Sequence, residues 1–348
     1  MKKTILSLLF VAAAALSAPA RNPQKGTYGY LYCHMSGAGE WTAFAISRDG
    51  LHFQDLWEGG PVFDNARHAR IEGGTRDAYI CRTHDAKGYL MVITDMLVAK
   101  SRKWNNYGID LLRSKNLLDW QSVTFDFRKG PSIFCDPESP DPYKDYSTIS
   151  RVWAPQIFWD DAYTWPDGRK GGYLIYYSML NRPEEGYDRM YYSYADRSFT
   201  RLTKPRLLFD WGYATIDADI NYNDADGLYH MLIKKEGGWP GIYATTAPAL
   251  KGPWKEPSEQ DHINFEGKKL CEGASAFRPI GSDEWRVGPH PKPPNTLFGK
   301  ADGGGPTPNP PTSRATTASA RPTSGCATSP SRSTYRAWPL RNTGRSCD

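Results

Sequence analysis

Three acidic residues stand where short hydrophobic runs begin: Asp77 in "GGTRDAYICR", Asp217 in "YATIDADINYNDADG" and Glu272 in "KKLCEGASAFRP". Two carboxylates facing each other with a third nearby can protonate a leaving oxygen, activate a water, and hold the pKa values of the pair apart. Hydrolysis of a glycosidic bond needs that set. Their neighbours add candidates for substrate contact. Arg76 precedes Asp77, and Trp153 in "RVWAPQ" and Trp239 in "EGGWPG" lie near strand starts, where an indole could stack on a sugar. Asp219 rivals Asp217, because two residues along an extended segment point the same way.

For the acids to meet, the chain must bring distant segments to one place, and its repeats supply the means. "GYLYCHM" at Gly29 returns as "GYLMVITDM" at Gly88, "GYLIYYSML" at Gly172 and "GLYHMLIKK" at Gly227, with a weaker "DEWRVG" at Asp283. Each is a turn feeding an aromatic and β-branched run, the signature of a buried strand. A small polar residue, a turn and an aromatic follow, as at Ser47 with Phe53 and Ser114 with Trp120. A small sheet repeated in this way cannot bury both faces alone, so the expected fold is all-β, a five-bladed β-propeller with its last blade incomplete. The first strands of the blades then line a central channel, and the three acids fall at their starts. The acids in "NDADGLY" are turn residues.

Lys2 and Lys3, the apolar run from Ile5 to Leu16 and the small residues up to Ala20 predict a signal peptide over residues 1–20 and an exported protein, periplasmic or extracellular. That run is too short to span a bilayer. Residues 21–288 form the expected propeller domain. Residues 289–348 hold eleven prolines and a net +6, against +5 for the whole chain, so residues 1–288 carry a net −1. The basic pI of about 8.7 therefore belongs to the tail, which argues against a nucleic-acid partner. The tail has no strand or helix period and reads as disordered or as the product of a shifted reading frame. Six cysteines show no zinc-type spacing with the seven histidines, and disulfide pairing among the four before residue 289 stays open.

The order of "RDAYI", "SKNLLDW", "WAPQIFWDD", "IDADINYNDADGLYHML" and "CEGASAF" resembles glycoside hydrolase family 43, five-bladed propellers that include arabinofuranosidases, xylosidases and arabinanases. The resemblance covers roughly residues 28 to 288. It implies a general base at Asp77, a pKa-tuning and orienting aspartate at Asp217, and a general acid at Glu272. The reaction would be single displacement with inversion on arabinose- or xylose-containing oligosaccharide or polysaccharide, by a monomer that needs no organic cofactor. A structural calcium or sodium ion in the central channel is compatible with it. Many members have proline where this chain has Ala78, Ala218 and Ala274, and the channel histidine and closing strands of the last blade are not recognisable after Gly288. The alternative expectation is a non-catalytic carbohydrate-binding propeller or an inactive truncated remnant.

Overall fold

A computed structural model describes residues 29–36, 39–238, 240–263, 271–280, 282, 285–291, 318–319 and 337–339. The expected signal peptide, most of the expected tail and Trp239 lie outside the described residues.

The chain is all-β and forms a five-bladed propeller. The second blade runs β4 (Thr75–Arg82), β5 (Tyr89–Asp95), β6 (Gly108–Ser114) and β7 (Trp120–Asp126) from the inside outward. The third is β8 (Ile149–Thr164), β9 (Lys170–Asn181), β10 (Arg189–Ala195) and β11 (Arg206–Phe209). The fourth is β12 (Thr215–Asn223), β13 (Leu228–Lys235), β14 (Gly241–Ala247) and β15 (His262–Ile263). Among the described residues the last has three strands, β16 (Cys271–Phe277), β17 (Arg286–Pro291) and β18 (Ala318–Ser319). The first blade holds β1 (Tyr30–Met35), β2 (Thr42–Ser47) and β3 (Gln54–Asp55), and at its inner edge β19 (Ala337–Pro339) pairs antiparallel with β1, Leu31 opposite Trp338. Two short strands from beyond residue 288 thus take part in sheets. Neighbouring inner strands touch in order, β4 against β8, β8 against β12, β12 against β16 and β16 against β19.

The repeated glycine-led run is the second strand of every blade: β1, β5, β9, β13 and β17. Its continuous apolarity follows from its position between two neighbouring blades. Alternate residues of a strand face opposite sides, and in β5 Leu90 and Val92 enter the core shared with the third blade, while Met91 and Ile93 enter the core shared with the first. In β9 Tyr173, Ile175 and Tyr177 face one way and Leu174 and Tyr176 the other, all buried. Full burial of such a side chain contributes about 1.5–3 kcal/mol. The seam between fourth and last blades is thinner, with Leu232, Ile242, Ala274 and Val287 as its buried members among the described residues.

Polar side chains fix the upper ends of the blades. Asn106 donates from Nδ2 to the carbonyls of Gly108 and Val152 and accepts from the Val152 amide, pinning the β5–β6 loop to β8. Asp95 accepts the amides of Ile71, Glu72 and Gly73 at 2.7, 2.8 and 2.8 Å, so the turn entering β4 is clamped. Burial pushes its carboxyl up, and those three amides oppose the rise. No helix among the described residues is long and apolar enough to cross a membrane. Cys81 and Cys135 carry free thiols, and burial raises Cys81 to about 12, which leaves it inert.

Candidate active site

One backbone device recurs in four inner strands. The pairing register slips between Arg76 and Tyr79 in β4, Trp153 and Gln156 in β8, Ile216 and Asp219 in β12, and Glu272 and Ser275 in β16. Each slip is a bulge in which two residues oppose one on the neighbouring strand, and the first of the two has positive φ: Asp77 at 50°, Ala154 at 48°, Asp217 at 55° and Gly273 at 60°. A bulge kinks the strand and re-aims the side chains around it. Only the last blade fills this position with glycine, the residue that adopts it without steric cost. In the second, fourth and last blades the second of the two turns into the seam between blades, where Ala78, Ala218 and Ala274 are buried at 3%, 1% and 1% exposure. The three alanines that depart from the family's proline are therefore small residues in tight seams.

The bulges place the acids in two classes. Asp77 and Asp217 occupy the left-handed position itself, whereas Glu272 precedes it and so corresponds to Arg76, Trp153 and Ile216. Asp217 reaches across to the last blade, its Oδ2 accepting the Gly273 amide at 3.0 Å. The carboxylate of one blade thus holds the backbone beside the carboxylate of the next. Asp219, which an unbroken strand would aim like Asp217, is 3% exposed and accepts from the Ala276 amide and Asn221 Nδ2, both at 2.8 Å. It joins β12 to β16 further down, and the bulge between the two aspartates separates their directions.

Glu272 has a buried cation beside it. Lys234, on β13 opposite Ile216, has a side chain 1% exposed, with Nζ 2.7 Å from Glu236 and 3.9 Å from Glu272 Oε2. The Glu272 side chain is 22% exposed. Asp77 is half-buried and makes no hydrogen bond or ion pair with a described residue. A half-buried carboxylate with open lone pairs can accept a proton from water.

Arg76 makes its ion pair with Glu40 and not with Asp77. Its Nη1 donates to Glu40 Oε1 at 2.8 Å, both side chains are largely buried, and the guanidinium lies 5.1 Å from the centre of the Trp104 ring. Trp153 is half-buried on β8 with the Arg151 guanidinium over its ring at 4.3 Å, so one face is already covered. Arg151 is fixed by Asp188 at 2.7 Å, whose carboxyl burial pushes up while Arg151 opposes the shift. Among the described residues no group of three or more His, Cys, Asp or Glu side chains could hold a metal ion. The channel histidine expected from the resemblance would fall beyond Gly288.

Sequence reasoning missed Glu40, Trp104, Lys234, Glu236 and the bulges. Lysine at the end of "HMLIKK" reads as a solvated strand end, and nothing local says that the neighbouring blade buries it. The paired aspartates of "IDAD" did carry a signal, since two acids on one face of a central strand would repel unless the strand breaks between them.

The strain is testable by itself. A non-glycine residue in the left-handed region costs about 1–2 kcal/mol, of which the added freedom of glycine in the unfolded chain returns part. Asp77→Gly should therefore unfold in urea at the same or a higher midpoint, by up to about 1 kcal/mol. Asp217→Gly should be less stable than the parent, because it also loses a charged hydrogen bond of about 1.5–3 kcal/mol. An Asp77→Gly protein clearly weaker than its parent would remove strain from the account.

A ring of five blades with carboxylates from three of them at the starts of inner strands is the framework of a propeller glycosidase. A family model described as "Probable glycosyl hydrolase domain", related to glycoside hydrolase family 43, matches residues 26–288, and the chain belongs to that family. An alpha-L-arabinofuranosidase of Bifidobacterium longum subsp. longum is 24% identical over 251 residues, which are 66% of this chain and 21% of that protein. The chain thus spans about a fifth of the length of that curated relative. The endo-1,5-alpha-L-arabinanase of Thermotoga petrophila superposes with a TM-score of 0.50 at 14% identity, over 76% of this chain and 65% of that structure. That likeness bears on the fold alone.

Proposed function

We propose that this chain is an exported, monomeric inverting glycosidase that acts on arabinose- or xylose-containing fragments of plant polysaccharide. Asp77 takes the proton of the attacking water, and Glu272 protonates the leaving oxygen. Asp217 holds the segment that carries Glu272. The observation that carries the reading is the bond from Asp217 to the Gly273 amide at 3.0 Å, which ties two of the three acids into one unit. Inversion requires the base and acid carboxyls to stand about 6.5–9.5 Å apart with a water between them, and no covalent intermediate forms. Neither the water nor the proton transfer needs an organic cofactor.

The test is hydrolysis of p-nitrophenyl arabinofuranoside and xylopyranoside, with the first-formed anomer read by proton NMR. The expected result is release of sugar of the opposite anomeric configuration. A product that retains configuration would overturn the mechanism. The last blade, which has three strands among the described residues, favours a second reading, a sugar-binding propeller without turnover. Binding of the same sugars with no hydrolysis would select it.

A further inference from the structure

We infer that Trp104 is a sugar-stacking platform at the rim of the site, so that the substrate is an oligosaccharide whose chain runs past the bond being cleaved over the second blade. This rests on the glycosidase reading and extends it to the length of the substrate.

Trp104 is 51% exposed, although the segment that presents it is firmly held. On one side, the helical turn Val98–Ser101 is tied to the first blade, where the Ala99 amide donates to Glu40 Oε2 at 3.2 Å. On the other side, Asn106 is fully buried and bound to Ser150 and Val152 of the third blade. The Arg128 guanidinium lies over the ring of Tyr107 at 3.8 Å. A loop anchored at both ends does not expose a large indole for want of a place to bury it.

The ring is also backed. The Arg76 guanidinium lies against it, and Glu40, which holds the turn Val98–Ser101, holds that guanidinium as well. One side of the indole is therefore occupied, and its exposure comes from the remainder. Arg76 is the residue before Asp77, so the platform and the proposed base are mounted on the same strand end. The apolar C–H face of a sugar ring suits such a surface, because a flat, backed aromatic loses little side-chain freedom when it is covered. Trp153 is backed in the same way by Arg151 but is half-buried where Trp104 is 51% exposed, so it offers a sugar less of its ring.

The test compares Trp104→Ala with the parent on two substrates, p-nitrophenyl arabinofuranoside and a linear arabino-oligosaccharide or xylo-oligosaccharide. The expected result is a rise in KM of about three- to tenfold for the oligosaccharide, with kcat little changed and the nitrophenyl substrate unaffected. Trp104→Tyr should recover most of the loss. An equal effect on both substrates, or none on either, overturns the platform while leaving the glycosidase reading intact. If the parent hydrolyses neither substrate, that reading fails, and calorimetric titration with the same oligosaccharides decides the platform: weaker binding by Trp104→Ala supports it, and equal binding overturns it.

Discussion

Glu272→Gln is expected to lower kcat on a natural arabinoside or xyloside by about 10²- to 10⁴-fold, the range for loss of general acid catalysis, with KM changing much less. The amide keeps the size and half-buried seat of the side chain but has no proton to give. The loss should depend on the leaving group. A dinitrophenyl glycoside departs without protonation, so the variant should recover most of its rate on that substrate. Asp77→Asn should lose as much on both substrates, because water still has to be deprotonated. Steady-state kinetics of the two variants on the two leaving groups would assign acid and base separately. If Glu272→Gln stays fully active on the natural glycoside, the assignment is wrong; if both variants respond alike to the leaving group, Glu272 and Asp77 have been given roles they do not divide.

The second large effect concerns stability and has an asymmetric form. Lys234 is 1% exposed and Glu236 is 32% exposed, 2.7 Å apart. Glu236→Gln leaves a buried ammonium with one carboxylate, Glu272 at 3.9 Å, in place of two, and removing a partner from a buried ion pair costs up to about 3–5 kcal/mol. Lys234→Met leaves a carboxylate that can turn to water, so its cost should be nearer about 1 kcal/mol. Urea unfolding should therefore rank Glu236→Gln as the more damaged protein, although an acid replaced by its amide looks milder than a lysine replaced by methionine. The opposite ranking would mean that Lys234 does not depend on Glu236. Lys234→Met should still lose activity, since the cation beside Glu272 is gone.

The five-unit repeat was legible because each second strand is buried on both faces, and burial on both faces writes itself into the sequence as an unbroken apolar run. Leu90 to Ile93 shows it most simply, with successive residues serving two different cores. The acids were legible as positions, because inner strands start just before them. Their orientation was not. Whether Asp217 and Asp219 share a face depends on one extra residue in the strand, and the only local hint of a bulge is the repulsion that two acids on one face would suffer without it. Glu40 and Lys234 were out of reach for another reason. Their environment is made by a different blade, dozens of residues away, so a glutamate in a hairpin loop and a lysine at a strand end looked solvated when they are not.

The repeated bulge has a consequence for how such a ring can change over evolutionary time. The backbone offers an equivalent socket in four blades, and the socket is formed by main-chain geometry that aspartate, alanine and glycine all satisfy here. Ala154 occupies it in the third blade with a methyl group. Chemistry in this fold is then a matter of tenancy: a single codon decides whether a given blade presents a carboxylate or stays silent, and the architecture need not move when the tenant does.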